Sequence, residues 1–130
     1  MKETLFAELR GETLSAVVFV ADYLQLDSNG SVLTSYVWPT VLRRTCPTRF
    51  EDPGYRDALC AFIGHDIEST DETPEAGLVI RFPSGSITID PGTDELVEPE
   101  IALLQIHAHT GWMVWRPGEG IFAGRDWPET

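Results

Sequence analysis

The sequence predicts an α+β domain: an antiparallel β-rich sheet built from a duplicated helix-plus-three-strand unit, with an added C-terminal hairpin. Three observations predict it. An apolar stretch with helical spacing, a glycine and three strand-like segments occur in that order twice. Turn signals, Ser28-Asn29-Gly30 in one copy and Pro83-Ser84-Gly85 in the other, separate strand patterns. The length of 130 residues suits a single domain whose core needs no metal or disulfide staple.

The repeat spans roughly 3–38 and 54–91, followed by a C-terminal extension over 99–130. "ETLFAELRGETLS" (3–15) lies over "RDALCAFIGHDIE" (56–68), which places Phe6 on Leu59, Ala7 on Cys60, Leu9 on Phe62, Gly11 on Gly64 and Leu14 on Ile67. "LQLDSNGSVLTSY" (24–36) lies over "LVIRFPSGSITID" (78–90) with Gly30 on Gly85, so two residues are inserted between the anchors.

In the first copy, Leu5, Phe6 and Leu9 mark a short helix without a clear cap. Strand patterns follow at 13–20, 23–26 and 31–38, and Asp22 falls in the turn between the first two. Residues 39–54, "PTVLRRTCPTRFEDPG", read as a connection with three prolines. In the second copy Asp52 suits a helix cap and Pro53 its first position. Tyr55, Ala58, Leu59, Phe62 and Ile63 then form one apolar face, and Gly64 supplies a left-handed end. Strands are expected at 65–70, 77–82 and 86–90, with Asp71 to Ala76 as an exposed hairpin loop. Residues 91–100 form an acidic, proline-bracketed loop, and 101–108 with 112–116 form the added hairpin. One continuous sheet or two facing sheets related by a pseudo-two-fold would accommodate this order, with the helices covering one side.

"GYRDALCAFIG", the glycine-turned hairpins and "WMVWRPGEG" resemble members of small bacterial domain families without an assigned activity. The matching features are glycines, turns and core positions. The resemblance therefore implies no catalytic residue.

Charge is the strongest compositional signal. The formal net charge is −12, and residues 66–100 hold ten acids against the single base Arg81, a local charge of −9. Nucleic acid is not an expected partner, because phosphate binding depends on Lys and Arg. A basic protein would be steered toward this stretch. The arginines Arg43, Arg44 and Arg49 are the one basic concentration, read as self-neutralising against the acidic surface or as an anion contact. No run approaches the roughly 18 apolar residues of a membrane span. The start carries acids where a signal peptide needs a basic region, so a cytoplasmic, bacterial-type protein with no membrane partner is expected. Cys46 and Cys60 match no metal or redox spacing, and Cys60 reads as a buried free thiol.

Catalytic chemistry finds no foothold. There is no Gly-x-Ser-x-Gly elbow, phosphate loop or dinucleotide fingerprint, and Cys46 lacks a locatable histidine. His107 and His109 would share a face of a strand, and with His65 they form the candidate metal set. Ordinary histidines explain the same spacing, and no cofactor is expected.

The leading reading is a non-enzymatic acidic interaction protein, an inhibitor or immunity-type protein that binds a basic partner. Its candidate contacts are Asp71, Glu72, Glu75, Asp94, Glu95, Glu98, Arg125 and Trp127. One alternative is a small-molecule-binding protein or enzyme with a pocket lined by tryptophans and histidines. Another is a dimerising accessory domain, so monomer and homodimer both stay open. In "WMVWR" both faces of a strand are apolar, which assigns Trp112 and Trp115 to the core and leaves Trp127 for contact.

Overall fold

Alternating burial sets the strands. In β2 (Tyr23–Ser28), Leu24, Leu26 and Ser28 are buried while the residues between them are half-exposed, the period expected of a strand with one covered face. The computed structural model describes residues 6–21, 23–43, 46–73, 77–89, 101–105, 112–115 and 124–126. Among them the chain is mostly antiparallel sheet, with one short α-helix.

The first sheet contains β1 (Ala16–Val20), β2, β3 (Ser31–Ser35), β9 (Ala102–Gln105), β10 (Trp112–Trp115) and β11 (Gly124–Asp126), in that spatial order. Asn29 and Gly30, with φ of 54° and 97°, make the tight turn between β2 and β3, whose twist suits a two-residue hairpin. Register then stacks Val17, Leu26, Leu33 and Leu104 across four neighbouring strands. The second sheet contains β4 (Thr40–Arg43), β5 (Cys46–Thr48), β6 (Ser69–Thr73), β7 (Gly77–Phe82) and β8 (Gly85–Ile89), ordered β5-β4-β8-β7-β6. Here Val41, Ile87 and Ile80 form the matching apolar row.

Both rows feed one hydrophobic cluster, so the two sheets share a single core. Phe6, Leu59 and Phe62, none of them accessible to solvent, join it from the segments that precede each meander. Among the described residues no helix is long and apolar enough to cross a membrane.

The hairpins are exchanged between the sheets. β4 and β5 follow the first meander in sequence yet pair onto β8 of the second. β9 and β10 follow the second meander and pair onto β3 of the first. Where the two halves cross, Thr13 bridges Asp66 antiparallel. Gly11 N–H donates to the Ile67 carbonyl and Gly64 N–H to the Leu14 carbonyl; Leu14 N–H donates to His65 and Ile67 N–H to Glu12. Gly11 and Gly64 both take a left-handed φ, 87° and 89°.

Several expectations are corrected. The segment 39–54 is not a bare connection: it holds β4 and β5, whose pairing with β8 is invisible in four- and three-residue runs bearing Arg43 and Pro47. Pro47 is tolerated because β5 is an edge strand. Asp71 belongs to β6, since the ladder with β7 continues through Thr73. The first helix is a 3-10 turn, Phe6–Leu9. α1 (Tyr55–Cys60) is capped by Gly54 rather than Asp52 and stops after six residues. Cys60, inside α1 but off its buried Tyr55–Ala58–Leu59 face, is an exposed free thiol, and the early stop leaves Ile63 40% exposed in the following turn. β11 extends the added hairpin to three strands.

Candidate functional site

The turn before α1 is built from its own short-range bonds. Arg49 N–H donates to the Asp52 carboxylate at 2.8 Å, Asp52 N–H donates back to the Arg49 carbonyl, and Tyr55 N–H reaches the Asp52 carbonyl. Glu51 sits inside this ring at φ 82°, a conformation that side chains rarely adopt. The turn projects Phe50, which is 42% exposed, from the core margin. Behind it, Trp38 stacks on the Phe50 ring at 4.4 Å and 5°. Tyr55 meets that ring edge-on at 5.9 Å, with its hydroxyl donating to the Pro39 carbonyl. A cavity of about 390 Å³ opens here, and Glu51, Asp52 and Asp57 place carboxylates along it. Arg56, at its rim, holds its guanidinium 5.3 Å from the Phe19 ring centre.

Strain at Glu51 yields a direct expectation. A left-handed conformation costs an L-residue about 1–2 kcal/mol, partly offset by the extra entropy glycine loses on folding. Glu51→Gly should therefore raise stability by about 0.5–1 kcal/mol in urea unfolding; a loss would show that the carboxylate contributes more than the backbone strain takes away.

A second cavity, about 760 Å³, lies at the β7–β8 turn beside β4. Arg43, Arg81, Glu68, Ser84 and Ser86 line it with Leu42, so both signs of charge are present. Arg81 is ion-paired with Asp71, a pair half open to solvent. Neither of these two cavities is lined by a tryptophan or a histidine.

The predicted site residues fare differently. Asp71 is exposed on β6, near exposed Glu68, which is held by its N–H on the Arg81 carbonyl, while Glu72 is half-buried. Asp66 is exposed and accepts the Thr13 hydroxyl at 2.6 Å. Arg125 has its backbone in β11, opposite Met113. Glu75, Asp94, Glu95, Glu98 and Trp127 lie outside the described residues, as do Asp22, Arg44, His107 and His109. His65 is exposed, and among the described residues no group of three His, Cys, Asp or Glu is arranged to hold a metal. Trp115 is buried against the core and Trp38 packs beside it, half-buried.

Sequence reasoning missed the Trp38–Phe50–Tyr55 group. Its signal was two aromatics, Phe50 and Tyr55, flanking the turn sequence Glu-Asp-Pro-Gly. Comparison with protein-family models, curated proteins and solved structures finds no match to this chain.

Proposed function

We propose that this chain is a non-enzymatic acidic interaction protein that binds a basic protein partner, acting as an inhibitor or immunity-type protein in the cytoplasm. The observation that carries the reading is the uneven charge: −9 of the −12 falls within residues 66–100. Asp66, Glu68 and Asp71, from the described part of that stretch, are exposed to a partner. Arg43 and Arg49 are exposed, and neither forms an ion pair with a described residue. Complementary charge of this kind chiefly accelerates association and fixes specificity.

Affinity capture from a native extract at low and high salt tests it. A basic protein recovered at low salt should be lost at high salt, and Glu68→Lys with Asp94→Lys should weaken its binding roughly tenfold or more. Capture indifferent to both salt and these substitutions would sink the reading.

We propose equally that the fold is a duplicated unit, with the Phe6–Leu9 turn standing where the second copy has α1. The reciprocal hydrogen bonds of Gly11 and Gly64, and of Leu14 and Ile67, support this, because each pair repeats at an offset of 53. The exchanged hairpins support it too: each meander is completed by strands that follow the other.

A further inference from the structure

We infer that the exposed Phe50 ring, with the carboxylates of Glu51 and Asp57 beside it, is the seat for an arginine side chain of the basic protein partner. The inference rests on the reading above and names the contact that anchors it. Four observations carry it.

First, Phe50 is exposed where an aromatic side chain of this size would ordinarily be covered, and it lines a cavity large enough for a side chain. Second, the ring is already held in place. Trp38 lies parallel against it, the Tyr55 ring stands nearly perpendicular to it, and the Tyr55 hydroxyl is tied to the Pro39 carbonyl. A partner group docking there orders little that is not ordered already, which favours an affinity anchor over a passive contact. Third, the charge at the rim is complementary to a cation. Glu51 and Asp57 are exposed, whereas the Asp52 carboxylate is engaged by Arg49 N–H within the turn. Fourth, the one arginine of the rim, Arg56, is placed over Phe19 rather than over Phe50.

Arginine fits this seat better than lysine. Its planar guanidinium stacks on an aromatic face and forks onto a carboxylate at the same time, and it is less strongly hydrated than an ammonium. Lysine brings a compact charge that satisfies the carboxylates and leaves the ring unused. The acidic stretch at 66–100 then steers the partner by long-range attraction, and the Phe50 seat holds it by contact.

The test uses the full-length chain and two synthetic peptides of equal length, one alternating arginine and glycine, the other lysine and glycine. Binding is followed at low salt by tryptophan fluorescence, since Trp38 lies against Phe50. The arginine peptide should bind several-fold more tightly than the lysine peptide. Phe50→Ala should weaken arginine-peptide binding by roughly tenfold and remove most of the preference for arginine, and Phe50→Tyr should retain both. Asp57→Asn should weaken binding by a smaller factor. Thermal unfolding of each variant confirms that it is folded, and calorimetry replaces fluorescence for Phe50→Ala, whose signal is altered directly. Equal affinity for the two peptides, or an unchanged affinity of Phe50→Ala alongside a loss in Glu68→Lys with Asp94→Lys, overturns the seat and leaves the acidic-partner reading standing. Failure of both peptides to bind the wild-type chain counts against both readings.

Discussion

Phe62→Ala is expected to lower stability by about 3–5 kcal/mol, measured by urea or guanidinium unfolding. Phe62 has no solvent-accessible surface, and its ring stacks on Phe82 at 4.5 Å and 14°. It follows α1 in a run of turns, with its N–H on the Leu59 carbonyl and its carbonyl accepting His65 N–H. Those bonds hold its backbone in the turn leading to Gly64, so the backbone resists moving in to fill the space the ring vacates. The loss combines removed apolar burial with the cavity left behind. A domain of this size has only about 5–15 kcal/mol to lose, so the variant should be partly unfolded at physiological temperature. A loss below about 1.5 kcal/mol would show that the site collapses freely and that the turn is not rigid.

Gly85→Ala should cost about 1–3 kcal/mol or more in the same assay, for a different reason. A Cβ at this position would lie 2.1 Å from the Leu42 carbonyl oxygen and 3.1 Å from the Arg43 Cα. Both atoms are backbone, on the strand that pairs directly with Gly85, so no rotamer change relieves the overlap. β4 would have to move away from β8, loosening the ladder that joins the β4–β5 hairpin to its sheet. Glycine is needed here for a close approach and not for its φ, which makes the position unlike Gly64. Stability within about 0.5 kcal/mol of wild type would mean that β4 is loosely held.

The meander strands other than β6 were legible in the sequence because each is a local event; β6, expected over 65–70, runs Ser69–Thr73. Leu24 and Leu26 alternate with polar neighbours, and the turn residues Asn29-Gly30 and Pro83-Ser84 stand between the runs they join. Gly64 marked a left-handed position in the same way, and Gly11, aligned with it, takes the same conformation. The strands β4 and β5 were not legible. Thr40–Arg43 is four residues with two exposed, so its period is lost, and its partner β8 lies more than forty residues away. Burial of Ile63 was misjudged because helical spacing continued past the point where the helix ends, and burial of Cys60 because it lies off the helix's apolar face. Hydrophobic periodicity shows which face is apolar, but the tertiary contacts decide how many turns are made.

The same divide runs through the site. Net charge and its concentration in residues 66–100 are properties of composition, and no fold can remove them. The Phe50 seat depends on Trp38 stacking on one ring and Tyr55 standing nearly perpendicular to it, from segments twelve and five residues away. By itself, then, the sequence determined the acidity, the meander strands other than β6 and the turns, since these follow from residue type and near-neighbour spacing. Only the tertiary structure decided that the hairpins exchange between sheets and that Phe50 stands stacked at the surface. Both depend on pairings between distant residues, where many partners satisfy the same local pattern and shared burial in one core selects among them.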